Sequence, residues 1–174
     1  DRASQAWSRW GRDCLIHLVG VFNAGHWHTQ DRRLVLACSA PLGRGWYVHR
    51  QGRRLYFATA PQGLFALSQV PRELDETAMR DLIVGNAGSS RSLFHGIHRV
   101  FTAHWSEYSG GGQETRRYWK PDRGRRLRFK REEEGWEAVN ACLDEVVQSQ
   151  LRSIRPVGVM MSGGLDSAAI AGLT

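Results

Sequence analysis

Val157-Gly158-Val159-Met160-Met161-Ser162-Gly163-Gly164-Leu165-Asp166-Ser167-Ala168-Ala169-Ile170-Ala171-Gly172-Leu173-Thr174 is the stretch that decides how the rest of the chain is read. An apolar run follows Pro156; it is too short for a helix of its own and reads as a buried strand. Ser162-Gly163-Gly164 breaks that run, and Asp166-Ser167 opens a small-residue stretch that reads as a helix. Strand, glycine turn and helix start together make an anion site. N–H groups without partners at a helix N-terminus point at a ligand, and the helix dipole adds partial positive charge. Gly163 and Gly164 let the backbone approach phosphate oxygens with no Cβ in the way. The hydroxyls of Ser162 and Ser167 can donate as well, and Asp166 is placed to hold Mg²⁺ beside the phosphates.

The spacing is not that of a Walker A loop, which needs G-x-x-x-x-G-K-[ST]. A tight turn with a serine cap is the plainer alternative. Ser162-Gly163-Gly164-Leu165-Asp166-Ser167 instead resembles the pyrophosphate loop of ATP pyrophosphatases, which cleave ATP between its α and β phosphates. The resemblance implies an ATP site made of Met160, Met161, Ser162, Gly163, Gly164, Leu165, Asp166 and Ser167, with Mg²⁺ on Asp166. Met160 and Met161 would then line the strand end, where the family meets adenine and ribose. Enzymes with similar loops make asparagine, GMP, NAD, argininosuccinate or modified tRNA, so the acceptor must be read from elsewhere in the chain.

The 174 residues suffice for one full domain or one and a part, and a hydrophobic content of 41% with seven tryptophans allows a packed core. The chain starts at Asp1 and stops about two turns into the helix after the loop, so it is expected to be an internal fragment, inactive alone as a synthetase. Cys14, Cys38 and Cys142 are widely spaced with no C-x-x-C pair, which favours free thiols in a cytoplasmic protein over a zinc site. No apolar run approaches the length of a membrane span. The net charge of +7 is concentrated between Arg116 and Arg131. Such a run could grip nucleic-acid phosphates, but Pro121 and Gly124 inside it favour a solvated linker.

In chain order, residues 5–18 are expected to form an amphipathic helix, with Trp7, Trp10, Cys14 and Leu18 on its core face and Gly20 as its stop. Val21 to His28, Leu34 to Ser39, Trp46 to Arg50 and Leu55 to Thr59 read as strands of one antiparallel meander. His26 and His28 share a strand face and read as polar surface positions, not a metal pair. Gly63 to Leu67 suggests one helical turn, and Asp75 caps a helix to about Val84, ended by Gly85 and the stretch Asn86 to Ser90. A strand-rich block covers Leu93 to Trp105, followed by a turn at Ser109 to Gly112 and a strand from Thr115 to Trp119. Trp136, Val139, Leu143, Val146, Val147, Leu151 and Ile154 then step round a helix with glutamates at its start and Arg152 and Arg155 near its end. The expected organisation is a β-rich domain over 1–119, a basic linker over 120–131 and the start of an α/β domain over 132–174.

This order resembles glutamine-dependent asparagine synthetases over nearly the whole chain. Besides the loop, the resemblance rests on Arg54-Leu55-Tyr56-Phe57-Ala58-Thr59, Val70-Pro71-Arg72-Glu73-Leu74-Asp75, Arg91 to Val100, and Arg117-Tyr118-Trp119-Lys120-Pro121. It implies the C-terminal part of an α+β glutaminase domain, an Ntn-type αββα sandwich, followed by the start of an α/β ATP-pyrophosphatase (PP-loop) domain. It also implies the reaction: glutamine yields ammonia, a carboxylate such as aspartate is adenylated with ATP and Mg²⁺, and ammonia displaces AMP. A homodimer is compatible with the family. The family's nucleophilic cysteine is N-terminal, and no residue here matches it, so no catalytic residue is assigned. Where members read Ala-Arg-Asp-x-x-Gly, this chain has Ala37-Cys38-Ser39-Ala40-Pro41-Leu42-Gly43, and Thr59-Ala60 replaces Ser-Glu. Such departures fit relatives that use an internal amine, the β-lactam synthetases and lasso-peptide cyclases, whose carboxylate belongs to an amino-acid derivative or peptide. A tRNA-modifying reading is set aside, because relatives of that kind usually carry the loop near the N-terminus.

Overall fold

The computed structural model describes residues 2–40, 44–85 and 91–174, which divide into two compact units, Asp1–Pro121 and Asp122–Thr174. The first unit opens with helix α1, Arg2–Trp10, which passes into a 3-10 turn over Gly11–Ile16. Seven strands follow: β1 Asn23–His28, β2 Arg33–Cys38, β3 Trp46–Gln51, β4 Arg54–Ala58, β5 Ile97–Val100, β6 His104–Ser109 and β7 Gly112–Arg117. Helices α2, Pro61–Leu64, and α3, Glu76–Ile83, lie between β4 and β5.

The expected single helix over 5–18 is two pieces. Gly11 takes a left-handed φ of 56°, which an apolar periodicity running through it does not reveal. Cys14 is buried as expected, together with Leu15, and Trp7 and Leu18 pack on them, but Trp10 remains 43% exposed beside His17. In α3 the cap is as read from sequence: Asp75 Oδ1 accepts the Ala78 N–H at 3.0 Å. Ala78 alone of its apolar residues is buried. The stretch Asn86 to Ser90 lies outside the described residues.

The four strands expected as one meander are antiparallel but belong to two sheets, ordered β1-β2-β6-β7 and β4-β3-β5. β2 lies between its hairpin partner β1 and β6, with Leu34 opposite Tyr108, while β3 lies between β4 and β5. Side-chain alternation then sorts the residues into three packed layers. Val35, Ala37 and Trp105 face α1 and the 3-10 turn, against Cys14 and Leu15. Leu34, Leu36 and Tyr108 face the other way and meet Val48 and Val100 of the second sheet. The far side of that second sheet, with Ile97, Tyr47 and Tyr56, packs on Leu64 and Val70. Each sheet therefore has one face against helical turns and one against the other sheet.

The second unit holds α4, Glu132–Gln150, and α5, Leu165–Gly172. Glu132, Glu133 and Glu134 occupy the first turn of α4, where carboxylates oppose the dipole, and Glu134 accepts the Lys130 N–H at 3.1 Å. The helix ends at Gln150, so Arg152, Ile154 and Arg155 fall beyond it. Val157 to Met161 is not the expected buried strand. It has no regular secondary structure and no ladder partner among the described residues, because the unit contains no other strand to satisfy its N–H and C=O groups. No helix among the described residues is long and apolar enough to cross a membrane.

Candidate functional site

The loop singled out in the sequence is a sharp turn into α5. Gly163 has a φ of 80°, the left-handed region that favours glycine, and a Cβ built there would meet nothing within 4 Å. Gly164 then adopts an extended conformation as the residue before the helix, with no side-chain cap. The first N–H groups of an α-helix have no intrahelical acceptor, so Leu165, Asp166 and Ser167 present theirs at this open face.

Two hydroxyls hold the turn closed. Ser162 Oγ and Ser167 Oγ lie 3.1 Å apart, and the Ser162 N–H points to Ser167 Oγ at 3.3 Å. Ser167 Oγ also donates to the Gly164 carbonyl at 3.0 Å. The turn thus draws Ser162 and Ser167 together from either side of two glycines. Asp166 stands in the first turn of α5, where its carboxylate opposes the helix dipole. Met160, Met161 and Leu165 are exposed beside the loop, without the strand meant to support the methionines.

The first unit shows how the altered Ala37 to Gly43 segment begins and ends; Pro41, Leu42 and Gly43 themselves lie outside the described residues. Cys38 is fully buried and faces Asn23 across the β1–β2 ladder. Its Sγ donates to Asn23 Oδ1 at 3.3 Å and accepts the Gly45 N–H at 3.2 Å, while Asn23 Nδ2 donates to the Gly45 carbonyl at 2.9 Å. Asn23, Cys38 and Gly45 therefore form a closed clamp on the two ends of the connection between β2 and β3. Burial pushes the Cys38 thiol up, against the weaker pull of the Gly45 N–H and the Arg99 charge. A protonated thiol of this kind serves as a hydrogen-bond donor and not as a nucleophile. Tyr118 adds a fourth tie, its hydroxyl donating to the Cys38 carbonyl at 2.9 Å. Burial, with Cys38 nearby, raises Tyr118 to about 12.

Sequence reading missed this clamp, although one signal for it was present. The turn between His28 and Arg33 fixes the hairpin register and so sets Asn23 opposite Cys38. His26 is more than a surface position, since Trp7 stacks on it at 4.3 Å. Burial, helped by the His28 charge, lowers its pKa. Among the described residues no cluster of three or more His, Cys, Asp or Glu could hold a metal ion by itself.

The glutamine amidotransferase domain family matches residues 4–119, and the asparagine synthase family matches residues 138–174. Glutamine-hydrolyzing asparagine synthetase 3 of Bacillus subtilis is 27% identical over 169 residues, covering 94% of this chain and 27% of that protein. Amidase chyE of Penicillium rubens is 28% identical over 176 residues, covering 96% of this chain and 25% of that protein. Amidase chry2 of Gibberella zeae is 27% identical over 176 residues, with 96% and 25% covered. The chain spans about a quarter of the length of these curated relatives.

Proposed function

The chain belongs to the asparagine-synthase-like glutamine amidotransferase family, and from that premise we propose that it is part of an ATP-dependent ligase that makes an amide bond by adenylating a carboxylate. In this reading the first unit is an Ntn-type sandwich, supported by the packing of each sheet between helical turns and the other sheet. The second unit begins a PP-loop domain, and residues 120–131 link the two domains. The observation that carries the reading is the backbone from Ser162 to Ser167, with a left-handed glycine, open space where its Cβ would stand, and the free N-terminus of α5 behind it.

The chemistry follows from that surface. A carboxylate oxygen attacks the α-phosphorus of ATP, the bond to the bridging oxygen breaks, and pyrophosphate departs with the electron pair. Negative charge grows on the departing group, so fixed N–H donors of Leu165, Asp166 and Ser167 stabilise the transition state more than bound ATP. An amine nitrogen then attacks the activated carbonyl, loses a proton, and expels AMP. The residues fit a magnesium–nucleotide pair: Mg²⁺ in phosphate sites takes one or two carboxylates and completes its shell from phosphate and water, and Asp166 supplies one. Bound there, the ion would neutralise charge on the departing pyrophosphate.

Two sources of the amine are open, and the first unit bears on both. Family membership supports ammonia released from glutamine, with aspartate as the carboxylate. The Cys38 clamp favours the other source, an internal amine as in β-lactam synthetases and macrocyclases, because a buried thiol stands in place of the arginine of the Ala-Arg-Asp pattern that this segment otherwise resembles. Product analysis of the full-length protein with α- and γ-labelled ATP tests the ligase reading. AMP and pyrophosphate are expected, and release of ADP and phosphate would refute it. Labelling with amide-¹⁵N glutamine separates the two amine sources, since only the first carries the label into product.

A further inference from the structure

At the end of the first unit opposite the clamp, the space between the two sheets opens into a cleft of about 820 Å³. The clamp sits at Cys38 and the cleft at Leu34, roughly 13 Å apart along β2 at the rise of an extended strand. The inner wall is apolar. Leu34, Leu55 and Tyr108 belong to the buried layer between the sheets, and Trp27 and Phe57 stand half-exposed at its mouth. Over this wall two hairpins deliver arginines: Arg32 from the β1–β2 turn, and Arg50 and Arg53 from the two sides of the β3–β4 turn.

Two features separate this arrangement from scattered surface charge. The cleft lining contains three guanidiniums and no carboxylate, and none of the three makes an ion pair among the described residues. The nearby carboxylate of Asp31 is already engaged by Arg33 and His28. Arg32 also holds a left-handed φ of 51°. Residues other than Gly, Asn and Asp seldom adopt that conformation, so Asn or Gly would be the ordinary choice there. The cleft's size and its apolar wall with a few convergent polar groups are those of small-molecule sites.

We propose that this intersheet cleft binds an organic acid with a flat apolar body, its carboxylate, sulfonate or phosphate held by Arg32, Arg50 and Arg53 and its body lying between Trp27 and Phe57. Trp27 and Phe57 belong to the edge strands β1 and β4, but what lines the cleft is side chains of the inner sheet faces, so a ligand there is recognised by side chains and not by the backbone ladder that strand addition uses. Arginine matches an anion's oxygens with paired, planar donors and stacks on aromatic bodies, so both halves of the ligand have partners. The site uses no residue of the Ser162 to Ser167 loop, and it stands or falls independently of the ligase reading.

The test titrates 1-naphthoate and its neutral counterpart 1-naphthamide into the intact protein, read by calorimetry and by the indole ¹H–¹⁵N signals. Naphthoate should bind at least about tenfold more tightly than the amide, the scale of one charge-assisted hydrogen bond, and should shift the Trp27 signal first. Arg32→Asn, which keeps the left-handed turn, combined with Arg53→Gln should abolish that preference without moving the melting temperature. Phe57→Ala should weaken both ligands alike. Equal affinity for acid and amide, unchanged preference in the double variant, or no binding up to the solubility limit would each overturn the proposal. So would a shift confined to tryptophans outside the cleft. An acidic aromatic peptide that binds where naphthoate does not would make the cleft a protein interface and overturn it as well. Methyl 1-naphthyl phosphate and 1-naphthalenesulfonate, run in parallel, distinguish which acid the arginines prefer.

Discussion

Gly45→Ala is expected to be among the most damaging single-methyl additions in the first unit, and the structure says why. Gly45 has a φ of 79°, and an added Cβ would stand 2.9 Å from the backbone carbonyl oxygen of Val100. The left-handed conformation alone costs alanine about 1–2 kcal/mol. The clash adds about 1–3 kcal/mol, because the neighbour is main chain of β5, itself buried, and cannot rotate away. Any movement of Gly45 also weakens the Cys38 and Asn23 bonds, a further loss of about 1 kcal/mol for the two together. The total is about 3–6 kcal/mol. Gly52→Ala is the control: its φ is 58°, but a Cβ there meets nothing within 4 Å, so only the conformational cost of about 1–2 kcal/mol applies. At about 4 °C per kcal/mol for a unit of this size, Gly45→Ala should melt at least about 8 °C below Gly52→Ala by tryptophan fluorescence. Equal melting of the two variants would refute both the clash and the clamp.

Leu36→Ala removes a fully buried side chain from the layer between the sheets and should cost about 2–5 kcal/mol, measured as a lowered urea midpoint. Tyr118 is raised to about 12 from an ordinary 10.0, so the folded state keeps a proton that the unfolded chain loses; its contribution is complete below pH 10 and is lost as pH rises through 12. Tyr118→Phe should flatten the fall of melting temperature across that window, and an unchanged slope would show that another group sets it. Asp75 is held below the usual carboxylate range by the Ala78 N–H, so its contribution is present above about pH 4 and lost on acidification; Asp75→Asn should soften the acid-side fall in melting temperature. In the full-length protein, Asp166→Asn should lower turnover roughly a hundredfold with a smaller effect on ATP affinity, whereas Gly163→Ala should weaken ATP binding itself. Wild-type turnover in Asp166→Asn would remove that residue from the metal site.

What the sequence disclosed and what it hid divide by the range of the interaction. The cap of α3 was legible because Asp75 reaches its partner three residues on, at Ala78. The β3–β4 hairpin was legible because Gly52 provides the positive φ its tight turn demands. Alternation along β2 likewise told which residues share a face, but not what each face meets. Leu34 finds Tyr108, and no local pattern announces that β2 prefers β6 to β3. A strand needs a partner as well as a pattern, and Val157 to Met161 had the pattern alone. The same limit applies to sites. Ser162 to Ser167 could be read because its parts are consecutive, so one turn brings two serines and two glycines together. The clamp joins Asn23, Cys38 and Gly45 through a hairpin register, one step beyond consecutive sequence. Arg32, Arg50 and Arg53 meet only because two sheets stack with their turns at one end, two steps beyond. A charge count showed an excess of arginine and placed it in the run before α4, where the side chains are solvated. The arginines with an apolar wall beneath them are instead the three dispersed ones, because burial of a ligand's body requires a folded concavity and not a dense stretch of charge.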